Sequence, residues 1–112
     1  EIPSDLNRLI QNLVPKGLRL TYKKGQILFY EGHIPYGVYL ILSGKLSFST
    51  QDTSCPEERP LKIDEGDLYG LEALIHNAPF CCTATAKTDC VVIFLPKTSL
   101  QQILDVEKNT NG

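Results

Sequence analysis

The hydrophobic residues near the start of the chain recur at helical spacing. The four residues that share this spacing are Leu6, Leu9, Ile10 and Leu13. A spacing of three or four residues places them on one face of a helix. Ser4 can accept hydrogen bonds from the first free amide groups of that helix. We therefore predict a short amphipathic helix that begins near Ser4 and ends before Pro15.

From Leu18 onward the pattern changes to short runs of β-branched, aromatic or alternating residues, which are typical of strands. Seven runs have strand length: LRLTY (18–22), QILFY (26–30), VYLIL (38–42), KLSFST (45–50), LKI (61–63), CCTATA (81–86) and CVVIFL (90–95). The runs are short and lie close together along the chain. This spacing favours antiparallel pairing.

Glycines mark the connections between these runs. Gly25 follows Lys24 between the first two runs, and Ser43-Gly44 predicts a two-residue hairpin turn, where glycine tolerates a positive φ. Glu65-Gly66-Asp67 predicts a further turn. The polar segment 51–60, which includes two prolines, is typical of an exposed loop.

The end of the chain returns to helical spacing. Thr98 and Gln101 form a capping-box pattern ahead of apolar residues, so we predict a second short helix that begins near Ser99. Strands at this spacing with a helix at each end indicate a mainly β, antiparallel fold of the jelly-roll type. The interior of such a fold is the default place for a ligand.

The length of 112 residues suits one domain with one core, so we interpret residues 1–112 as a single domain. The net charge of -2 argues against a surface that grips the phosphate backbone of nucleic acid. Four basic residues do gather in one stretch: Lys16, Arg19, Lys23 and Lys24. We interpret them as a solvated strand-and-turn surface.

No apolar run approaches the ~20 residues that cross a bilayer, and no signal-peptide pattern is present in this sequence. We therefore expect a cytoplasmic domain without a membrane partner. The sequence begins with Glu1 and contains no methionine. We expect it to be part of a longer protein.

The four cysteines, Cys55, Cys81, Cys82 and Cys90, show no C-x-x-C pair and no histidine at zinc-finger spacing. Neighbouring residues on a strand point to opposite faces, so Cys81 and Cys82 are not placed to hold one ion together. We interpret the cysteines as reduced and buried, with thiol or cofactor chemistry as the alternative.

Three segments together resemble a known family. They are YKKGQILFYEGHIPYGVYLILSGKLSFST, IDEGDLYGLEALI and TATAKTDCVVIFLP, which span most of residues 16–106. They are similar to the cyclic-nucleotide-binding domain, in particular to the sensory domain of Crp/Fnr-type transcription regulators. The matching landmarks are Gly25, Gly32, Gly44, Gly66, Gly70, Tyr39 and Ile41. The resemblance implies a double-stranded β-helix with short flanking helices.

The resemblance also implies a phosphate-binding cassette, in which backbone amides and a glutamate hold the ribose and an arginine pairs with the phosphate. Here the glutamate position is Leu71, with Glu72 displaced by one residue, and the arginine position is Phe80 or its neighbour Cys81. No arginine follows Arg59 in the sequence. Because a buried phosphate needs such a partner, we do not expect cyclic AMP or cyclic GMP to bind in the ordinary mode.

Lys87 is the nearest cation, several residues beyond the expected contact. The predicted ligand-binding residues are Tyr69, Gly70, Leu71, Glu72, Ala73, Phe80, Cys81, Cys82 and Thr83. Leu71, Phe80 and Cys81 would make the pocket apolar, which favours a hydrophobic or neutral effector, or a planar cofactor. The alternative is that these side chains fill the barrel and leave no pocket.

We therefore predict a non-catalytic effector-sensing domain of a Crp/Fnr-type regulator, which forms a homodimer and binds DNA only through a C-terminal domain outside this chain. A regulatory module attached to an enzyme or a channel is the second hypothesis. No cofactor is expected in either case. A haem-based sensor is a further alternative, with His76 near Cys81 and Cys82 as candidate axial ligands.

A metal-dependent cupin enzyme would share the jelly-roll shell but needs two histidines one residue apart. His33 has no such partner, so we expect neither catalytic residues nor a metal site.

Overall fold

A computed structural model describes residues 4–52, 54, 60–63 and 66–101. The first helix, α1 (Ser4–Leu13), confirms the prediction from the apolar spacing. A short 3-10 turn, Val14–Lys16, follows it and contains Pro15, which is tolerated in a first turn because no backbone N–H is needed there. Ile10 is fully buried, and Leu13 packs beside it. The side chain of Leu6 lies outside the described part.

Eight strands follow. They are β1 (Leu18–Tyr22), β2 (Ile27–Phe29), β3 (Gly37–Ser43), β4 (Leu46–Ser49), β5 (Leu61–Ile63), β6 (Gly66–Tyr69), β7 (Thr83–Ala86) and β8 (Cys90–Pro96). A second helix, α2 (Leu71–Ile75), lies between β6 and β7. Seven strands coincide with the predicted runs, whereas β6 was not predicted. Gly66 and Asp67, which we predicted in a turn with Glu65, belong to β6, and Gly66 pairs with Ile63, so β5 and β6 are neighbouring antiparallel strands. Glu65 lies outside the described residues.

The strands form two sheets in which every pair is antiparallel. The large sheet has the order β1-β8-β3-β6-β5, and the small sheet has the order β2-β7-β4. Consecutive strands such as β1 and β2 therefore lie in different sheets. This arrangement of two facing antiparallel sheets with few short helices confirms the predicted mainly β jelly-roll fold.

The predicted hairpin at Ser43-Gly44 is wrong, because β3 and β4 belong to different sheets. Ser43 pairs with Val91 in the large sheet, whereas Leu46 pairs with Ala86 in the small sheet. Gly44 has a φ of 95° and makes the crossing between the sheets. A Cβ there would lie 2.7 Å from the Sγ of Cys90 and would overlap the neighbouring backbone. The glycine is thus required by a tight crossover, which local sequence does not distinguish from a hairpin.

Two hydrophobic layers cover the two faces of the large sheet. The outer layer lies under the helices and consists of Ile10, Val38, Leu40, Ile63, Leu68, Leu71, Leu74, Ile93, Leu95 and Leu100. The inner layer lies between the sheets and consists of Leu28, Phe29, Ile41, Phe80, Cys82, Ala84, Ala86, Cys90 and Val92. The alternation along β3, in which neighbouring side chains point to opposite faces, separates the two layers.

The chain is helical again over residues 97–101, at the end of the described part. This segment begins directly after β8, two residues before the predicted start, so Thr98 lies inside its first turn. Leu100 from this segment is buried in the outer layer. Within residues 4–52, 54, 60–63 and 66–101, every helix is too short or too polar to cross a bilayer.

Candidate functional site

The predicted cassette begins where β6 ends. Gly70 has a φ of 98°, a left-handed conformation that favours glycine, and it turns the chain from β6 into α2. A Cβ at this position would lie 3.3 Å from a ring carbon of Phe80. Glycine therefore allows α2 to start directly beside the Phe80 ring.

The short helix α2 contributes to both layers. Leu71, only 3% exposed, and Leu74 are buried in the outer layer. Ala73 packs against the inner layer, and Glu72 is exposed. Leu71 and Phe80, which we predicted to line one pocket, are buried in different layers. Three- and four-residue spacing on a helix places Leu71 and Leu74 on one face, away from Ala73.

Phe80 is held in place by its backbone and by its ring. Its N–H donates to the carbonyl of His33 at 2.9 Å, and its carbonyl accepts from the N–H of Gly32 at 2.9 Å. Its ring stacks on Phe29, with centroids 4.1 Å apart and planes inclined by 19°, and it is 6% exposed. A phenyl group thus occupies the inner layer at the position where the family resemblance expects a cation.

The residues after Phe80 tie the cassette to the small sheet. The carbonyl of exposed Cys81 accepts from the hydroxyl of Thr50 at 2.8 Å, and the hydroxyl of Thr83 accepts from the N–H of Glu31 at 3.0 Å. Cys82 is buried in the inner layer. The predicted burial of cysteines is therefore confirmed for Cys82 and Cys90 and wrong for Cys81. Cys55 lies outside the described residues.

Aromatic rings fill much of the space between the sheets. Tyr39 contacts Phe29 and Phe94 with centroids 5.5 and 5.1 Å apart, and Phe48 contacts Tyr69 at 5.2 Å. Burial raises the pKa of Tyr39, and the charge of Tyr22 raises it further. Burial also raises the pKa of Tyr22. The inner layer is therefore a poor environment for negative charge.

An opening of about 250 Å³ lies where β6 faces β4 at the edge of the inner layer. Its apolar lining comes from Ile41, Leu46 and Tyr69, and its charged lining from Lys45, Asp67 and Lys87. Asp67 pairs with the amine of Lys62 at 2.8 Å, in an exposed ion pair. Asp67 thus has a cation partner of its own, and Lys45 and Lys87 add positive charge to the opening.

Lys45 was not among the predicted site residues, because we interpreted residues 43–45 (SGK) as a hairpin turn. Its carbonyl accepts from the N–H of Lys87 at 2.8 Å, so the two lysines are neighbours across the small sheet. The predicted residues Tyr69, Ala73, Phe80 and Cys82 do come together around the inner layer. Glu72 and Cys81 are exposed, and Leu71 faces the other side.

The two histidines lie on the surface, His76 in the turn after α2 and His33 in the loop after β2. In the described part of the chain, no group of three or more histidine, cysteine, aspartate or glutamate side chains is placed to hold a metal ion.

Comparison with known proteins agrees with this architecture. A family model described as the cyclic nucleotide-binding domain matches residues 19–107. A cAMP-dependent protein kinase regulatory subunit from Eremothecium gossypii is 29% identical over 104 residues, which are 93% of this chain and 21% of that protein. The chain therefore spans about a fifth of the length of this curated relative.

Two solved structures share the fold. The catabolite activator protein of Thermus thermophilus superposes with a TM-score of 0.65 at 22% identity, over 93% of this chain and 51% of that one. The N-terminal domain of a transcriptional regulator from Streptomyces coelicolor gives a TM-score of 0.65 at 24% identity, over 91% of this chain and 73% of that one. These matches confirm the resemblance drawn from the glycine landmarks.

Proposed function

Because this chain belongs to the cyclic nucleotide-binding domain family, we propose that it is a non-catalytic effector-sensing domain that does not hold a cyclic nucleotide in the ordinary mode. One observation carries this proposal. The position that should supply the glutamate is Leu71, which is buried in the outer layer. The position that should supply the arginine is Phe80, which is stacked on Phe29, or its exposed neighbour Cys81.

The physical reason is the cost of burying a phosphate. A phosphate that enters a low-dielectric layer without a charged partner loses its hydration, and a guanidinium normally offsets that loss with two parallel hydrogen bonds. The phenyl ring of Phe80 makes no such bonds. Glu72 is the nearest carboxylate in sequence, but it is exposed and therefore not directed into the inner layer.

The opening between β4 and β6 is the site that we assign to the effector. It is small, at about 250 Å³, and it combines an apolar wall of Ile41, Leu46 and Tyr69 with polar groups, which suits a small molecule that has both a polar and an apolar part. An acidic group on such a molecule would lie at the exposed rim beside Lys45 and Lys87. Tyr69, which lines the opening, also contacts the ring of Phe48, with centroids 5.2 Å apart.

Haem does not fit the residues present. The candidate ligand His76 is exposed, and Phe29 and Phe80 stack in the layer that a planar group would have to enter. We therefore propose that the sensor works without a cofactor. An absorption spectrum of the freshly purified protein tests this, because a Soret band would contradict it.

We infer that the signal can pass from the inner layer to residues 97–101 through α2. This helix places Ala73 in the inner layer and Leu71 in the outer layer, where Leu100 of the segment 97–101 also packs. A ligand that binds better when the inner rings move apart would therefore bias the position of α2 and of residues 97–101.

We propose that the parent protein is a cytoplasmic, homodimeric Crp/Fnr-type regulator whose C-terminal region binds DNA. The fold shared with the Streptomyces regulator domain supports this proposal. The second candidate is a regulatory module attached to an enzyme, which the identity with the kinase regulatory subunit supports. The coding sequence that follows codon 112 discriminates between them, since a helix-turn-helix supports the first and a catalytic segment the second.

Titration calorimetry with cyclic AMP and cyclic GMP tests the central claim. We expect no saturable heat at micromolar concentrations from the 112-residue chain. Saturable binding that Phe80→Leu or Leu71→Met abolishes would contradict the proposal, because it would place a nucleotide against these residues.

A small-molecule screen by thermal shift tests the assigned opening. For a hit that carries an acidic group, Lys87→Gln should weaken binding by about threefold to tenfold, as expected for loss of one exposed charge contact. Lys24→Gln, at an exposed position between β1 and β2, is the matched control and should leave binding unchanged. Equal losses in both variants would show that the opening is not the site.

A further inference from the structure

A groove of about 560 Å³ lies between β1 and β2, on a side of the molecule that the proposed effector site does not use. β1 is the edge strand of the large sheet, and β2 is the edge strand of the small sheet. The apolar lining of the groove comes from Leu20, Tyr22, Ile27 and Tyr30. The groove therefore exposes apolar side chains beside two strand edges.

Of the two strands beside the groove, only β1 offers a regular edge. Its five residues pair with β8 from Leu18 opposite Phe94 to Tyr22 opposite Cys90, without a bulge. In an antiparallel edge strand, alternate residues direct their N–H and C=O groups away from the partner. Among the described residues, no strand pairs with the free side of β1.

The edge of β2 is less suitable. It has three residues, and its register shifts between Ile27 and Phe29. The backbone of Gln26, just before it, is occupied, because its N–H donates to Lys23 and its carbonyl accepts from Ala86. A bulged, short strand with occupied neighbours does not extend a sheet well.

The two faces of β1 have different chemistry. Leu20 lies opposite Val92, a member of the inner layer, and it shares this face of β1 with Leu18 and Tyr22. Leu20 and Tyr22 line the groove. Leu18 is 57% exposed. Arg19 lies opposite Ile93, a member of the outer layer, so it points to the other face. A strand added to β1 would therefore alternate between an apolar and a charged environment.

The charge around β1 is positive. Lys16, Arg19, Lys23 and Lys24 are exposed, and residues 16–30 contain no aspartate or glutamate. Asp89 approaches this surface from another element, and its carboxylate accepts from the backbone N–H of Lys24 at 2.9 Å. An added strand with acidic side chains would complement this surface.

The same charges disfavour a second copy of the chain as the partner. In a self-paired antiparallel register centred on Leu20, Lys16 of one copy would lie beside Lys24 of the other. Like charges directly opposite each other destabilise a sheet.

We propose that the free edge of β1 binds an extended acidic segment of a partner protein as an additional strand of the large sheet. Apolar side chains of that segment would enter the groove beside Leu20 and Tyr22. The alternate acidic side chains would lie beside Arg19 and the flanking lysines. In this mode main-chain hydrogen bonds supply affinity and the alternating side chains supply specificity.

The test uses the isotope-labelled 112-residue chain and the synthetic peptide acetyl-SEVEIEVS-amide. We expect the peptide to shift the backbone amide signals of Leu18–Tyr22 and to slow their hydrogen exchange. Two peptides serve as controls. The lysine version acetyl-SKVKIKVS-amide should not bind, and acetyl-SEVEPEVS-amide, which lacks one N–H donor, should bind about tenfold more weakly.

Two variants of the chain locate the charge contact. Arg19→Glu should weaken binding of the acidic peptide about fivefold, as expected when a cross-strand attraction becomes a repulsion. Lys62→Glu reverses a charge on β5, at the opposite edge of the large sheet, where it also replaces the ion pair with Asp67, and it should change peptide binding less than about twofold. Circular dichroism confirms that both variants are folded.

Several outcomes would overturn the proposal. Equal binding of the acidic and lysine peptides would remove the charge argument, and equal binding of the proline peptide would remove the strand-addition argument. Slow exchange of the free-edge amides of β1 in the unliganded chain would mean that another segment already covers that edge. A concentration-dependent dimer with its contacts on β1 would assign the edge to a second copy.

Discussion

The outer layer under the helices and the inner layer between the sheets are built from different residues. All buried members of the outer layer are aliphatic, from Ile10 to Leu100. The inner layer combines the rings of Phe29 and Phe80 with small cysteine and alanine residues, and half-buried rings such as Tyr39 pack against it. Only the inner layer reaches the opening that we assign to the effector.

We infer from this difference that stability depends mainly on the outer layer and ligand binding mainly on the inner layer. Aliphatic side chains that are almost fully buried interlock closely, so a change in the outer layer should mainly affect stability. Rings with partly exposed edges can rearrange at lower cost, so the inner layer can change with a ligand. Leu71 shows the consequence, since the position that resembles the family's glutamate has become part of the outer layer.

A substitution at Leu71 is the most direct test of this difference between the layers. Leu71→Glu would restore the residue type expected from the family, but it would place a carboxylate at a position that is 3% exposed among aliphatic side chains. We expect the free energy of unfolding to fall by about 4 kcal/mol or more near pH 7, because the charged form loses its hydration. Urea denaturation measures this change.

The pH dependence of the Leu71→Glu variant is a second signature. Burial would raise the folded-state pKa of the new carboxyl. The part of the cost that comes from ionisation is therefore absent at low pH and grows as the pH rises above the unfolded value of about 4.3, whereas the cost of burying the neutral carboxyl remains at every pH. The control Leu71→Met conserves volume and should cost less than about 1.5 kcal/mol at any pH. A stable Leu71→Glu variant that binds cyclic AMP would show that position 71 faces the ligand.

Much of the fold is predictable from the sequence because its signals are local. The helical spacing around Ile10 and the short β-branched runs identify α1 and seven strands. β6 was missed, since GDLY is short and contains two turn-forming residues, and it is a strand because β3 and β5 pair with it on both sides. The pairing with β3, which lies far away along the chain, cannot be inferred from these four residues.

The candidate site is less predictable for a related reason. Leu71 and Phe80 belong to one short stretch of the sequence, so we predicted that they line the same pocket. The orientation of α2 instead places Leu71 in the outer layer, whereas Phe80 lies in the inner layer. Lys45 lines the opening because β4 crosses to the small sheet at Gly44. Neither the helix orientation nor the crossing could be inferred from residue spacing alone.

Gly44 and Gly25 both lie where the chain crosses between the sheets, and they provide the next test of how tightly each crossing is packed. Gly44 and Gly25 both have positive φ, at 95° and 94°. A Cβ at Gly44 would meet Cys90 at 2.7 Å, whereas nothing lies within 4 Å of one at Gly25. We expect Gly25→Ala to cost about 1 kcal/mol from backbone strain and Gly44→Ala to cost about 3 kcal/mol. Equal costs in urea denaturation would mean that the crossing at Gly44 is not tightly packed.

The stacked ring pair of the inner layer should show a smaller effect. Phe80→Leu removes the stacking on Phe29, and we expect the free energy of unfolding to fall by about 1 to 2 kcal/mol. A double-mutant cycle with Phe29→Leu should give a coupling of about 0.5 to 1.5 kcal/mol. A coupling near zero would show that the rings do not form a unit, and the inner layer would then resemble the outer one.

The smallest effect concerns the phenol groups of the inner layer. Burial raises the pKa of Tyr22 and of Tyr39 above the value of 10.0 for an exposed phenol, so the unfolded chain ionises first as the pH increases. The stability that these groups contribute is therefore present below pH 10 and is lost as the pH rises through their folded-state pKa values. Urea denaturation on both sides of this range should show the decline, and Tyr22→Phe combined with Tyr39→Phe should reduce it.

Because the charge of Tyr22 also raises the pKa of Tyr39, the Tyr22→Phe variant alone should shift the ultraviolet titration of Tyr39 to lower pH. An unchanged titration would place the two hydroxyl groups in separate environments and would divide the inner layer into independent parts.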